Sequence, residues 1–431
     1  MDTLWRIAAR NVVRHRKRTL ITGIVMMVGI GLYIGYDSIL SGMDRMAIDS
    51  MVSYSSSWLK ARTPGYAAES MGFPIDEGIA GPEAAMAAMR KAAPQITATA
   101  PRTLFVAQAS NYTDAEPVIA AAVDPAADAT VFGVAASVGK GRWLAGPEAG
   151  ATGAAGGNAA PPREVVIGAG LAKDLGLSVG DGLLISARTI YENDNADEFT
   201  IVGILDGTAA LAGTATVYMG YADARAFLGE GLPVTEIDAA AAPSPSLEKE
   251  LEGSVQAAAL VRAALPSLAV DPVGEFAKDY LALRTSKSKA SLLLIAMILL
   301  IAAVGIVNTI LMSVYSRIRE IGVLRAYGMT PKDIRKLFTR EGIILGAVGS
   351  LAGLGFGALL DWFLVSVGIS LSAFGNLDFG SIPINGVMRG EWKPESFIVG
   401  LIFGIGVAWL AARIPAKRAG KLEPTEALRF V

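Results

Sequence analysis

The 431-residue sequence has no cysteine and a single histidine, His15. The first absence removes disulfides, thiol nucleophiles, cysteine metal sites and lipidation of the chain's own cysteines, and leaves the compartment open. The second excludes histidine triads and histidine zinc sites from the long central segment. Charge is sparse as well. Only 18% of residues are charged and 52% are hydrophobic, with a mean hydropathy of +0.45. A chain this apolar stays tractable only if its apolar residues are segregated into blocks.

Four such blocks are present, at 19–40, 290–315, 342–367 and 396–412. Each approaches or exceeds the roughly 20 apolar residues that cross about 30 Å of hydrocarbon. Their middles carry no charge, and a central Lys, Arg or Asp would cost about 2.5–3.5 kcal/mol on insertion. Two acids, Asp37 and Asp361, lie near span ends. They read as interfacial carboxylates or as substrate-facing groups. The basic run Arg14, Arg16, Lys17 and Arg18 before the first span suggests a secretory signal. The span is too long for one and lacks a small-residue exit at Leu40-Ser41-Gly42, which predicts an uncleaved anchor.

Charge assigns the sides. Segments 1–18, 316–341 and 413–431 hold eighteen Lys/Arg against six acids and are expected in the cytoplasm by the positive-inside rule. Segment 41–289 has eighteen Lys/Arg against twenty-nine acids, and loop 368–395 has only Arg389 and Lys393, so both are expected outside. The expected fold class is therefore an α-helical membrane protein with four spans in a 1+3 arrangement and a large α+β outer domain. It would be multi-pass in the inner membrane with both termini cytoplasmic.

Within 41–289, residues 165–167, 183–186, 199–205 and 216–219 read as strands, and 171–175, 222–228 and 247–265 as helices. Segment 146–162, almost entirely Gly, Ala and Pro, reads as a mobile surface loop, because it cannot bury enough apolar surface to offset ordering. Residues 239–245 read as a second connector. Residues 272–285 read as a helix running unbroken into the second span.

The cytoplasmic loop 316–334 is the most informative stretch. Val314, Ile318, Ile321 and Leu324 recur at helical spacing, with Arg317, Arg319, Glu320 and Arg325 mostly off that stripe. Gly328 can end the helix in the left-handed conformation, and Thr330, Pro331 and Asp333 supply a cap, a first-turn proline and a third-position acid for the next. Such a helical hairpin is shaped to dock in a partner's groove. It also reads as a solvated basic connector.

The run Arg-Glu-Ile-Gly-Val-Leu-Arg-Ala-Tyr-Gly from Arg319 to Gly328 resembles the R-E-I-G-x-x-R-A-x-G signature of MacB/FtsX-type ABC permeases. The tail from Ile414 to Arg429 and the stretch from Val166 to Asp181, followed by Phe199 to Gly203, resemble the same family, so the resemblance covers essentially the whole chain. It implies a MacB-type periplasmic domain and a coupling helix gripped by an ATPase, formed by Arg317, Arg319, Glu320, Ile321, Gly322, Leu324, Arg325, Ala326 and Gly328. The implied partners are two copies of an ABC ATPase carrying ATP and Mg, a second permease subunit in a homo- or heterodimer, membrane lipid and a periplasmic acceptor protein. Nucleic acid is not among them.

The remaining motifs are weaker. Gly349, Gly353 and Gly357, Gly31 and Gly35, and Gly400 and Gly404 are spaced four apart, which permits close helix approach within the chain or at a dimer seam. Residues 1–18 read as an amphipathic elbow helix with Leu4, Ile7, Ala8 and Val12 at headgroup depth and Trp5 as anchor, or as a topology signal. No Walker A loop is present, since the nearest approach, Gly133 to Gly141, has the wrong spacing. Ser286 and Lys289 have the spacing of a Ser-Lys dyad without its companion motifs. No catalytic residue, metal site or cofactor site is expected in this chain.

The sequence thus predicts a permease subunit that couples ATP hydrolysis in a partner to periplasmic conformational change, releasing lipoproteins or lipid-like substrates from the inner membrane. MacB-like efflux of peptides or drugs, and FtsX-like control of a cell-wall hydrolase, are the alternatives.

Overall fold

A computed structural model describes residues 3–14, 16–69, 72–145, 163–206, 216–370 and 387–421. The expected loop 146–162 lies outside these residues, as does most of the outer loop 368–395 and half of the tail. Among the described residues, the chain divides into a helical unit (3–44, 283–370 and 387–421) and an α+β unit (between 45 and 282).

In the helical unit, a short helix, Thr3–Arg14, precedes the first long helix, Arg16–Met51. The second long helix is Lys278–Tyr315, the third Pro331–Ser366 and the fourth Pro394–Gly420. All four are long and apolar enough to cross a membrane. The helix runs unbroken into the second span as expected, but it starts at Lys278 and not at 272, because Ala269–Pro272 is a strand and Val273–Phe276 a separate turn. The proline at 272 has no N–H for a helical ladder and suits a strand end.

The core of this unit runs through Met26, Ile30, Ile34, Ile295, Leu299, Ile306, Phe338 and Leu345. Glycine lets two helices approach there. A Cβ on Gly349, Gly353 or Gly357 would fall 2.9, 2.8 or 2.6 Å from Met26, Ile30 or Ile34 respectively, a ladder of steps of four residues on both helices. Gly342 and Gly346 meet Ala412 and Ala408 of the fourth helix in the same way.

Among the described residues, the α+β unit has ten strands: β1 (Leu59–Arg62), β2 (Ile96–Ser110), β3 (Ala115–Val123), β4 (Val138–Gly141), β5 (Glu164–Ile167), β6 (Gly182–Arg188), β7 (Asp194–Leu205), β8 (Thr216–Gly220), β9 (Glu236–Ala241) and β10 (Ala269–Pro272). Their order is β10-β1-β9-β2-β3-β8-β5-β7-β4, and β6 pairs with both β2 and β7. That double pairing closes β2, β3, β8, β5, β7 and β6 into a ring. The fifteen-residue β2 makes this possible, since residues 96–102 pair with β9 and 107–110 with β6. The four expected strands and three expected helices of this region are found. The expected connector at 239–245 is found only from 242, because β9 runs to Ala241 and Ala239 is fully buried.

Strict alternation fills the ring. Phe105, Val118, Ala120, Leu183, Ile185, Phe199, Ile201, Val217 and Met219 point inward, joined by Leu171, Phe227 and Leu228 from helices. Charged side chains lie on the other parity of β1 and β9 and at Arg102 of β2. Lys60 Nζ lies 2.5 Å from Glu236 and 3.3 Å from Asp238, Arg62 lies 2.6 Å from Asp271, and Arg102 binds both oxygens of Asp128 at 2.6 and 3.0 Å. The Arg102 guanidinium also stacks 3.3 Å from the Phe132 ring. Burial pulls the Lys60 ammonium down, and the carboxylates of Asp238 and Glu236 outweigh this and raise it.

Candidate functional site

The segment between the second and third long helices folds as a helix, a tight turn and a capped restart. Ile318–Ala326 forms the short helix. Gly328 adopts φ +96°, with Gly328 N–H bonded to Arg325 O at 3.1 Å and Met329 N–H to Leu324 O at 3.1 Å, the Schellman pattern that ends a helix. A side chain at 328 would strain that conformation. Thr330 and Asp333 then form a reciprocal capping box with Pro331 in the first turn. Both ends of the turn are thereby fixed by local chemistry.

The structure divides the candidate residues by face. Ile318, Ile321 and Gly322 are buried, and Leu324 and Arg325 are half-buried. Arg317 occupies the N-cap position, with its Nε 2.7 Å from Glu320 and its Nη1 3.4 Å from Glu341. Arg319, Glu320, Ala326 and Gly328 face solvent. Two residues outside the sequence-derived set share that edge: Val323 and Tyr327, the latter 87% exposed. Their signal was present in the helical period, because the positions between the buried stripe must point away from it.

Of the small-residue motifs, Gly349, Gly353, Gly357 and Gly31 face side chains of the same chain at sub-contact Cβ distances, Gly31 against Phe356. Gly35 has ordinary contact with Leu360 and Leu364 at 3.6–3.7 Å. Gly404 meets Ser350 and Gly400 meets Ile30. In the Thr3–Arg14 helix, Ala8 and Asn11 are buried, while Ile7 joins Arg6 and Arg10 on the exposed side. Trp5 lies under the Arg340 guanidinium at 5.2 Å.

Asp37 and Asp361 are buried among the helices of this unit. Asp37 accepts from Ser396 and, at 3.4 Å, from Ser291, with Lys393 Nζ at 3.4 Å. Asp361 accepts from Ser38. In the α+β unit, a cleft of about 910 Å³ has Met86, Trp143 and Tyr221 in its walls. Arg90, Arg142 and Arg225 there face Glu83, Asp124, Glu164 and Asp223, so the cleft has little net charge. Among the described residues, no group of three or more His, Asp or Glu is placed to hold a metal.

Residues 292–424 match the FtsX-like permease C-terminal model, and residues 19–257, over half of the chain, match the MacB-like periplasmic core domain. The chain belongs to the MacB/FtsX-type family of ABC transporter permeases. This permease is 26% identical over 285 residues to the lipoprotein-releasing system transmembrane protein LolC of Neisseria meningitidis serogroup B, covering 62% of this chain and 65% of that protein. It is 28% identical over 238 residues to the macrolide export ATP-binding/permease protein MacB of Nitrosomonas europaea, covering 53% of this chain and 33% of that protein. The matches span less than two thirds of the length of these relatives. The crystal structure of the periplasmic region of MacB from Actinobacillus actinomycetemcomitans is similar at 9% identity and a TM-score of 0.33, covering 52% of this chain and 91% of that one.

Proposed function

We propose that this permease is the non-enzymatic membrane subunit of an ABC transporter in the inner membrane, with four spans in a 1+3 arrangement and both termini in the cytoplasm. The α+β unit then lies in the periplasm, and the 316–341 hairpin is the cytoplasmic element that docks into an ABC ATPase. Two ATPase copies, which carry the ATP and Mg, act on two permease subunits, identical or different. Hydrolysis displaces the hairpin, and the second long helix passes that displacement outward. The chain itself supplies no cofactor or catalytic residue.

The observation that carries this reading is the two-faced hairpin. One side, Ile318, Ile321 and Gly322, is packed into the helical unit, and the other presents Arg319, Val323, Ala326 and Tyr327. An apolar-and-aromatic edge on a rigidly capped turn suits a protein groove, because its conformation is set before docking. For cargo, lipoprotein release from the membrane to a soluble periplasmic acceptor is the reading supported by the LolC match, which extends over more of this chain than the MacB match.

The test is reconstitution with an ABC ATPase from the same genome. Arg325→Glu and Gly328→Pro are expected to abolish ATPase co-purification or ATP-dependent activity while the permease still inserts and folds. Normal ATPase binding and activity in both variants would refute the docking role. ATP-dependent transfer of a lipoprotein from proteoliposomes to a soluble acceptor supports the cargo assignment. Efflux of a peptide or drug, or activation of a cell-wall hydrolase without transfer, replaces it.

A further inference from the structure

We infer that Glu341 is the positioning residue that ties the exposed hairpin and the N-terminal amphipathic helix to the third long helix, an inference that rests on the docking role proposed for the hairpin. Glu341 lies ten residues into the Pro331–Ser366 helix and is 3% exposed. Its Oε1 accepts from Asn11 Nδ2 at 2.5 Å and from Arg317 Nη1 at 3.4 Å. Asn11 is buried on the Thr3–Arg14 helix, and Arg317 is the N-cap of the Ile318–Ala326 helix. One carboxylate oxygen therefore joins three helices.

The arrangement is specific in three ways. A buried carboxylate is strongly disfavoured unless charged and polar partners surround it, so its environment holds both partners in place. Charge-assisted bonds are directional, which orients the Arg317 guanidinium and with it the start of the hairpin helix. Arg317 in turn bridges Glu341 and Glu320 of that helix, through different nitrogens. Glu341 and Asn11 at the junction are both buried. Asn11, Thr19, Thr309, Ser313 and Glu341 line a cavity of about 20 Å³, room for a single water and no side chain. Nearby, Thr22 and Thr309 share a 2.7 Å hydrogen bond and Thr19 bonds Val12 O at 3.0 Å, so the first and second long helices are pinned beside it.

A load on the exposed edge at Val323 and Tyr327 then reaches the third helix through Arg317 and Glu341, and the N-terminal helix moves with it through Asn11. The two bonds are separable by substitution. Glu341→Gln keeps an oxygen for Asn11 and removes the charge that attracts Arg317. Asn11→Ala removes the other bond and leaves the ion pair.

Because the chain has no cysteine, introduced cysteines label singly. Spin-label pairs at Ile7→Cys with Val348→Cys, and at Arg319→Cys with Val348→Cys, all at exposed positions, report the N-terminal helix and the start of the hairpin helix against the third in full-length permease in lipid nanodiscs. Glu341→Gln is expected to cost the Arg319 pair its single distance maximum and leave the Ile7 pair unchanged, with Asn11→Ala doing the reverse. Unchanged distributions for both pairs, or loss of both in Glu341→Gln, would overturn the inference. In a second arm with the co-expressed ATPase, Glu341→Gln is expected to retain the ATPase on purification and lose stimulation of hydrolysis by the permease. Full stimulation in that variant would overturn it. A wild-type chain that retains no ATPase would instead overturn the docking role, without touching the distance result.

Discussion

Ser38 Oγ donates a 2.5 Å hydrogen bond to Asp361 Oδ1, joining the first and third long helices through two buried side chains. The neighbouring residue, Asp37, reaches Ser291 of the second helix and Ser396 of the fourth. Two consecutive residues thus hold all three other helices. The second oxygen of Asp361 has no hydrogen-bond partner, so Ser38 is its one bond among the described residues. Ser38→Ala is expected to destabilise the helical unit by about 1.5–3 kcal/mol, the range for a hydrogen bond to a charged or buried acidic group. Thermal unfolding in detergent measures it, and a melting temperature equal to wild type would refute the bond's importance.

The glycine ladder makes a sharper steric prediction. A Cβ at Gly353 would lie 2.8 Å from the Ile30 Cβ, whereas one at Gly355 meets nothing within 4 Å. Gly353→Val should therefore prevent stable packing of the first and third helices, while Gly355→Ala should be neutral or slightly stabilising through helix propensity. Size-exclusion behaviour and melting of the two variants, compared side by side, test this. Equal stability would show that the two helices separate freely.

In the α+β unit, Asp128 is fully buried and held at both oxygens by Arg102. Arg102→Ala leaves that carboxylate uncompensated, at an expected cost of about 3–5 kcal/mol. Replacing both partners, Arg102→Met with Asp128→Leu, should recover most of the loss. Denaturant unfolding followed by tryptophan fluorescence distinguishes the two. A double variant as unstable as the single one would mean that the pair acts through something other than charge burial.

Alkaline pH should unfold the same unit. Burial pushes the Tyr218 phenol from 10.0 up to about 12, and burial also raises Tyr66 and Tyr221. Each group holds its proton more tightly folded than unfolded, so the folded state binds more protons in this window and stability falls as pH rises. The contribution is intact below pH 10 and is lost between pH 10 and about 12, with Tyr218 alone accounting for roughly 3 kcal/mol at about 1.4 kcal/mol per unit. Stability that stays flat to pH 12 in a denaturant titration would contradict it.

Local chemistry made much of this permease legible. The capped hairpin was readable from Gly328, Thr330, Pro331 and Asp333, since each acts on backbone groups within four residues. The ring strands were readable from alternation at Leu183–Ile185 and Phe199–Ile201. The helix expected from residue 272 starts only at Lys278 because Pro272 pairs with Leu59, a partner more than two hundred residues away that no window reveals.

Hydropathy and capping depend on neighbours in the chain, so the four apolar helices, the charge asymmetry of their flanks and the hairpin between the second and third follow from the residue order. Tertiary structure alone decided that Asp37, Asp361 and Glu341 are buried. It also decided that Gly349, Gly353 and Gly357 meet Met26, Ile30 and Ile34, and that β2 closes a ring through β6. Each of these outcomes rests on a partner distant in sequence, and burial of a charge becomes tolerable only when that partner arrives.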